Sequence, residues 1–309
     1  MKPPRKPASA QGRHPGADAA VLAELRPGQS VELLKELHIL TRDGRLNQDS
    51  RRKLKQVEHL VRFIEKIVGE LVSRGEQLTL ADHGAGKSYL GFILYDLLLQ
   101  SRGGIVHGIE TRPELVERSR QLAERLGFAG MRFHHLSAAA SAHDAALPER
   151  IDIVTALHAC DTATDDAIAF GLAKQAQAMV LVPCCQAEFA SRLRQSKALQ
   201  LARTPLAELW RHPLHTREMG SQLTNVLRCL YLESQGYTVT VTELVGWEHS
   251  LKNELIIARF TGHKKRRAGE RLTALLAEFG LGALLPLRYP ALLAAAAAAP
   301  VPVSSRPCC

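Results

Sequence analysis

The chain has 309 residues and is 46% hydrophobic, which is enough for one large domain or two small ones. Its formal net charge of +9 favours a polyanionic partner such as RNA. No apolar signal segment opens the chain, "ALLAAAAAAPVPV" is too short to span a bilayer, and the six cysteines form no C-x-x-C pair. We therefore expect a cytoplasmic protein without a membrane span, a disulfide framework or a zinc ribbon.

Four regions follow one another along the chain. Residues 1–18 are basic and rich in proline and glycine, which indicates a disordered tail. Residues 19–75 predict a helical extension, because "KLKQVEHLVRFI" repeats apolar residues with a helical period. Residues 76–262 alternate short apolar runs with amphipathic stretches, and residues 263–309 hold a basic segment, one helix and an Ala/Pro-rich disordered tail. The basic residues at 51–55 and in "HKKRR" are solvated surface or RNA contacts.

The third region predicts an open α/β sheet. Seven runs have strand character, and helical stretches separate the first five, which is typical of a mostly parallel sheet. The last two runs stand next to each other as a closing pair. The runs span residues 78–82, 104–110, 131–137, 151–159, 178–185, 236–245 and 253–260.

The stretch "ADHGAGKSYLG", residues 81–91, fits two different cofactors. As a relaxed phosphate-binding loop it would offer Lys87 to phosphate oxygens and Ser88 to magnesium, as in an NTPase. However, Ala81 stands where the first glycine of such a loop belongs. In addition, no later strand ends in the apolar run plus aspartate of a Walker B segment. The NTPase is therefore the weaker interpretation.

The same stretch fits S-adenosylmethionine (SAM) better. Gly84 and Gly86 would let the backbone approach the methionine carboxylate and the ribose closely. Asp82 ends the first strand and would accept a hydrogen bond from the ammonium group of the ligand. Glu110 ends the second strand and would accept from both ribose hydroxyls. We therefore predict SAM as the cofactor, bound by these four residues together with His83.

Four stretches carry a resemblance to a known family: "KLKQVEHLVRFI", "DHGAGKSYL", "LHACDTATDDAI" and "LVPCCQ". The chain resembles the class I SAM-dependent methyltransferases that include the eukaryotic tRNA acceptor-stem 2′-O-methyltransferases and the methyltransferase domain of glutathione S-transferase C-terminal-domain-containing proteins. The resemblance implies a Rossmann-like seven-stranded sheet with a helical N-terminal extension. It places His158, Asp161, Thr164 and Asp165 after the fourth strand and residues 183–186 after the fifth.

The sequence also departs from this family. The zinc-binding Cys/His modules of the tRNA enzymes are absent. After the third strand, where an acid would bind adenine, Ser137 stands instead and is the predicted cofactor residue beside the adenine. The substrate therefore stays open at this point. RNA (tRNA or rRNA) is favoured, protein is the next candidate, and a SAM-binding interaction module without catalysis is the third.

The ends of strands four and five supply the candidate catalytic residues, since ligands lie over the carboxyl ends of the strands in such sheets. For transfer to a hydroxyl, His158 or Asp161 would be the base, and His158 would also border the cofactor. For transfer to pyrimidine C5, Cys184 or Cys185 would first add to C6. The cysteines fit equally well as small buried residues. No metal site is predicted, because adjacent cysteines seldom ligate one ion.

Overall fold

The computed structural model describes residues 23–72, 77–157, 159, 161–183, 187–195, 205–244 and 254–297. The strands are β1 (Thr79–His83), β2 (Ile105–Glu110), β3 (Met131–His135), β4 (Ile153–Leu157), β5 (Ala178–Val182), β6 (Tyr237–Glu243) and β7 (Glu254–Phe260). The α-helices are α1 (Val31–Glu36), α2 (Gln48–Val72), α3 (Tyr89–Leu94), α4 (Pro113–Arg125), α5 (Ala138–Ser141), α6 (Thr162–Ala173), α7 (Ala187–Gln195), α8 (Pro213–Ser234), α9 (Arg266–Glu278), α10 (Leu285–Arg288) and α11 (Pro290–Ala297). A π-helical turn follows α3 at Tyr95–Leu99, and a 3-10 helix precedes α8 at Pro205–Trp210.

The chain divides into two compact units, Met1–His59 and Leu60–Cys309. The predicted basic cluster at 51–55 lies in the first unit. There, the Arg51 guanidinium donates two hydrogen bonds to the Glu24 carboxylate, at 3.1 and 3.0 Å. Arg52 and Lys55 are exposed. The predicted apolar stripe of α2 is buried at every position, namely Leu54, Val57, Leu60, Val61, Ile64 and Ile67.

The second unit contains the sheet. Its seven strands have the order β3-β2-β1-β4-β5-β7-β6. Strands β1 to β5 are parallel to one another, whereas β7 is antiparallel to both of its neighbours, β5 and β6. The predicted α/β fold, with seven strands and a closing antiparallel pair, is confirmed. Side chains of β5 are buried throughout, as expected for a central strand that is covered on both faces.

Because β1 to β5 are parallel, their carboxyl ends share one edge of the sheet, which we call the site edge. Strand β6 runs in the same direction as β5 and so begins at the opposite edge. Helix α8 ends at Ser234, just before β6, and has 22 residues. Its length of roughly 33 Å is about twice that of a five-residue strand. The Asn225 side chain of α8 donates to the carboxylate of Glu254, which begins β7 at the site edge, at 2.7 Å, so the turns of α8 before Asn225 extend past this edge.

The C-terminal region contains more helix than the sequence predicted. Helix α9 is the one expected, and α10 and α11 follow it. Burial explains why the chain stays ordered here, because Leu281, Leu284 and Tyr289 are each at most 2% exposed. The Tyr289 ring packs edge-on against Tyr231 of α8, with 5.2 Å between ring centroids. The predicted disordered tail at 1–18 lies outside the described residues, whereas the Ala/Pro-rich tail predicted as disordered begins with the helix α11 and only its part after 297 lies outside them. No described helix is both long and apolar enough to cross a membrane.

Candidate functional site

The predicted cofactor residues of β1 and β2 lie together around one loop at the site edge. This glycine loop, residues 84–88, turns over the end of β2, where the Ala85 amide donates to the Ile109 carbonyl at 3.0 Å. Gly84 and Gly86 have φ angles of +66° and +59°. Such left-handed conformations favour glycine because a Cβ atom strains them. The loop thus brings backbone atoms to the surface of the site edge without side chains in the way.

Asp82 fastens the glycine loop to the sheet. Its carboxylate is buried and accepts hydrogen bonds from Thr155 Oγ1 at 3.0 Å, the Gly91 amide at 3.2 Å and Ser88 Oγ at 3.3 Å. Burial raises the pKa of this carboxyl to about 6, against the opposing effect of the three donors. Both oxygens are used within the chain, so Asp82 acts on the loop and on the start of α3.

Gly91 and Ser88 belong to this junction, although the sequence did not single them out for it. A Cβ atom on Gly91 would lie 2.6 Å from Ser88 Oγ and 3.2 Å from Asp82 Oδ2, so only glycine lets α3 come this close. The signal in the sequence was a third glycine, five residues after Gly86. Ser88 Oγ is buried against Asp82, and this orientation opposes the magnesium-binding role of the NTPase interpretation.

Glu110 lies at the end of β2, and both of its carboxylate oxygens accept hydrogen bonds. One of its oxygens accepts from the Gly86 amide at 2.7 Å, and the other accepts from the Thr111 amide at 3.0 Å. The Arg112 guanidinium donates to both oxygens, at 3.0 and 3.3 Å. Burial alone would raise the pKa of Glu110, but the hydrogen bonds from Arg112 and from the Arg112 and Gly86 amides outweigh it and lower the pKa to about 2. Glu110 is therefore a fixed anion beside the loop.

His83 is the last residue of β1 and is only 3% exposed. Neither ring nitrogen has a hydrogen-bond partner among the described residues, and the ring lies 5.4 Å from that of Phe170. Burial lowers the pKa of His83 to about 4, although the Glu110 charge opposes this effect. Buried polar atoms without partners are rare in folded proteins, because each costs a lost hydrogen bond. A neutral imidazole without a described hydrogen-bond partner therefore lies at the end of β1, directly before the glycine loop.

The end of β4 approaches the glycine loop from the other side. A Cβ atom on Gly84 would lie 3.8 Å from that of Ala159, which follows β4. Asp161, a predicted catalytic residue, uses Oδ1 to accept a hydrogen bond from the Glu188 amide in the first turn of α7, at 3.0 Å. The other predicted catalytic residues, His158, Cys184 and Cys185, lie outside the described residues.

Ser137 lies at the same edge, beyond β3. The last residue of β3, His135, is paired with Glu110 of β2, and the Leu136 amide donates to the Glu110 carbonyl at 3.1 Å. Ser137 itself is exposed and caps α5, since its hydroxyl accepts from the Ala140 amide at 3.3 Å. The residue predicted to border adenine is therefore next to the residue predicted to bind the ribose.

The residues fit an adenosylated cofactor. The glycine loop offers open backbone, Glu110 offers an anion at a strand end, and His83 offers two buried nitrogens without partners. In the described part of the chain, no three His, Cys, Asp or Glu residues lie close enough together to hold a metal ion. Together, the topology and this edge define a site of the nucleotide-binding type at the carboxyl ends of parallel strands.

Comparisons with known proteins agree with this assignment. A family model described as a methyltransferase domain matches residues 52–192. No curated protein sequence matches the chain. Given this match and the confirmed fold, the chain contains a methyltransferase domain, and S-adenosylmethionine is its cofactor.

Several solved structures are similar in fold at low identity. Magnesium protoporphyrin IX methyltransferase from Synechocystis PCC 6803 with bound S-adenosylhomocysteine (SAH) has 15% identity and a TM-score of 0.42, with 74% of this chain and 93% of that chain covered. TrmK from M. capricolum, in complex with SAH, has 10% identity and a TM-score of 0.38, with coverages of 71% and 88%. The fibrillarin pre-rRNA processing protein from Methanococcus jannaschii has 11% identity and a TM-score of 0.38, with coverages of 61% and 68%.

Proposed function

We propose that this enzyme methylates RNA, with tRNA or rRNA as the substrate class and a hydroxyl oxygen as the acceptor. The observation that carries the choice of RNA is the position of exposed cations relative to the site edge. Lys87 lies in the glycine loop and Arg112 directly after β2. Arg211 and Arg217 flank the start of α8, which extends past the same edge. Cations in this position favour a polyanionic substrate.

The basic segment at residues 264–267 lies farther from the site edge than these cations. Residues 264–267 follow β7, and the Phe260 amide donates to the Gln177 carbonyl, just before β5. The segment is therefore at the amino edge of the parallel strands, a strand length of roughly 17 Å from the site edge. Ion pairing does not distinguish the two groups, because Arg211 and Arg217 are paired with Glu208 and Glu218 just as Lys265 and Arg266 are paired with Glu233 and Glu270, so the choice rests on position. We assign substrate contacts to the α8 side and not to this segment.

SAM would be held by the residues of the glycine loop and by Glu110. Gly84 and Gly86 leave room for the ligand beside their backbone, and Glu110 accepts from the ribose hydroxyls in place of the exposed Arg112 side chain. His83 offers a neutral nitrogen, Ser137 borders the adenine, and Asp82 keeps the loop in place. When bound, SAM supplies a methyl group activated by its sulfonium charge.

The acceptor proton needs a base at the ends of β4 and β5. Of the two predicted candidates, Asp161 has one carboxylate oxygen committed to the Glu188 amide, which favours His158. We assign no covalent role to Cys184 or Cys185, because the resemblance favours oxygen as the acceptor. Transfer to a hydroxyl needs only a positioned base and an aligned acceptor.

The test is a labelling experiment. The purified protein is incubated with isotope-labelled SAM and an extract from a strain that lacks it, and the label is then separated into RNA and protein fractions. The proposal expects label in RNA, and nuclease digestion should identify a ribose-methylated nucleotide. Label in protein alone would instead support the protein methyltransferase. SAH binding without any label transfer would support a non-catalytic module.

A further inference from the structure

Helix α8 carries a completely buried arginine that reaches the end of β4. Arg228 is 0% exposed, and its guanidinium donates to both carboxylate oxygens of Asp165, at 2.9 and 2.7 Å. It also donates to Asn225 Oδ1 at 3.1 Å and to the backbone carbonyl of Asp161 at 2.7 Å. A buried guanidinium is tolerated only when it is paired and hydrogen-bonded, and here four acceptors meet that need.

The carbonyl that Arg228 holds belongs to a strained residue. Asp161 has φ +52° and ψ −121°, a conformation that a side chain with a Cβ atom rarely adopts. Strain of this kind persists only when the surroundings enforce it, and it is concentrated at functional sites. The neighbouring contacts do enforce it, because the Thr164 hydroxyl holds the Ala159 carbonyl at 2.6 Å and the Glu188 amide holds the Asp161 carboxylate.

Stability alone is a poor explanation for Arg228. A buried ion pair gains little over apolar side chains of the same volume, because the loss of hydration offsets the attraction between the charges. What an apolar pair cannot do is hold a backbone carbonyl at a chosen angle. The Arg228–Asp161 bond does this at the site edge, within the segment that contains the predicted acid–base residues.

We infer that Arg228 is a positioning residue for methyl transfer, which fixes the strained turn at Asp161 and thereby the alignment of the segment after β4. The inference rests on the proposed function. It assigns Arg228 no contact with the cofactor or the acceptor. Its effect should therefore appear in the rate of transfer and not in the affinity for the cofactor.

The experiment compares Arg228→Met and Arg228→Lys with Leu232→Ala as a matched control. Leu232 lies on the same helix, is also 0% exposed and packs in the core, so its truncation lowers stability without contacting the turn. SAH affinity is measured by calorimetry. The rate of methyl transfer is measured under single-turnover conditions, with the RNA or protein fraction that accepts label in the labelling experiment as substrate. We expect both Arg228 variants to transfer about 10²-fold more slowly, with SAH affinity near that of the wild type. A rate loss no larger than that of Leu232→Ala, or a parallel loss of SAH affinity, would overturn the inference.

A second measurement does not depend on the substrate. Hydrogen exchange in a peptide spanning residues 155–165 should be faster in Arg228→Met than in Leu232→Ala, relative to the rest of each protein. Equal exchange would refute the inference even if the proposed RNA activity fails, so the two failures are distinguishable. If Arg228→Met does not fold, Asp165→Asn replaces it. That variant weakens the ion pair but keeps the bond to the Asp161 carbonyl, and we expect a smaller rate loss from it than from Arg228→Lys.

Discussion

Oε2 of Glu110 accepts a hydrogen bond of 2.7 Å from the backbone amide of Gly86. This bond ties the end of the second strand to the middle of the glycine loop. The same carboxylate also accepts from Arg112, whose side chain is 58% exposed. Glu110 therefore has one donor that belongs to the backbone, the Gly86 amide, and another that is partly exposed to solvent, the Arg112 side chain.

Replacing Glu110 by alanine should remove most of the affinity for SAH. The change deletes the proposed acceptor of the ribose hydroxyls, and each hydrogen bond to a charged group contributes about 1.5–3 kcal/mol. Calorimetric titration measures the loss. Glu117→Ala on α4 is the control, because Glu117 is an exposed glutamate that is also paired with an arginine. Equal affinity in the two variants would contradict the role of Glu110.

Replacing Arg112 by alanine should strengthen SAH binding. In the proposed site, the ribose hydroxyls take the place of the Arg112 guanidinium on Glu110, so removing the guanidinium removes a competitor. An exposed ion pair contributes about 0–1 kcal/mol, which limits the gain to roughly fivefold. Arg120→Ala, at an exposed pair on α4, should leave the affinity unchanged. Weaker binding by Arg112→Ala would instead mean that Arg112 contacts the cofactor.

Replacing Asp82 by asparagine should change how stability depends on pH. Burial raises the pKa of Asp82 from 3.8 to about 6, so between these values the folded chain binds a proton that the unfolded chain does not. The wild type should therefore gain stability relative to Asp82→Asn as pH falls from 7 towards 4, by up to about 3 kcal/mol. Urea titrations of both proteins at pH 7, 6 and 5 measure this difference. A difference that is constant with pH would show that Asp82 does not titrate in this range.

The low pKa of Glu110 acts in the opposite direction and in another range. Because its pKa is lowered from 4.5 to about 2, the stability that it contributes is complete above pH 4.5 and is lost only as pH falls towards 2. Both proteins of the Asp82 comparison share this loss. It therefore cancels in their difference.

Cys184→Ser and Cys185→Ser should keep most of the transfer rate, whereas His158→Ala should lower it by about 10²–10⁴-fold. Transfer to a hydroxyl forms no bond between enzyme and substrate, so RNA that contains 5-fluoropyrimidine should not trap the protein. Denaturing electrophoresis after incubation with SAM detects a trapped complex. An adduct that survives denaturation and is lost in one cysteine variant would establish transfer to pyrimidine C5.

Reversing charge near the start of α8 should weaken RNA binding and its dependence on salt. Arg211→Glu with Arg217→Glu removes cations beside the site edge, and each lost phosphate contact lowers the slope of log affinity against log salt by about 0.9 on a duplex and less on single strands. Lys264→Glu with Arg267→Glu is matched in charge but lies at the opposite edge. Similar effects of the two pairs would show that RNA binding is not localised at the site edge.

Much of the fold follows directly from the sequence. The apolar runs, the strand-helix alternation and the helical stripe of α2 are local patterns, and each reports which faces are buried. The acid that ends β2 is also a local signal, because it follows an apolar run at once. The C-terminal helices were harder to foresee, since "ALLAAAAAA" resembles a simple repeat until Tyr289 and its partner Tyr231 are seen in contact.

The site was predictable only in part, because its supports come from distant segments. Thr155 lies 73 positions from Asp82, and Arg228 lies 67 positions from Asp161, so no spacing rule connects them. An arginine in an amphipathic helix usually indicates a solvated face, and only the three-dimensional contacts show Arg228 to be buried. Similarly, Arg112 follows Glu110 closely in sequence, but the sequence does not show that both carboxylate oxygens accept from it.

The pairing of Glu110 with Arg112 has a consequence for the catalytic cycle. In the proposed site, the guanidinium returns to the carboxylate when SAH departs, so Glu110 keeps a side-chain donor in addition to the backbone amides that it already accepts from. Under this proposal, cofactor exchange replaces one donor to Glu110 by another, which should lower the barrier to SAH release. We expect SAM to be bound more weakly as a result, so that the occupancy of the enzyme follows the supply of methyl donor around it.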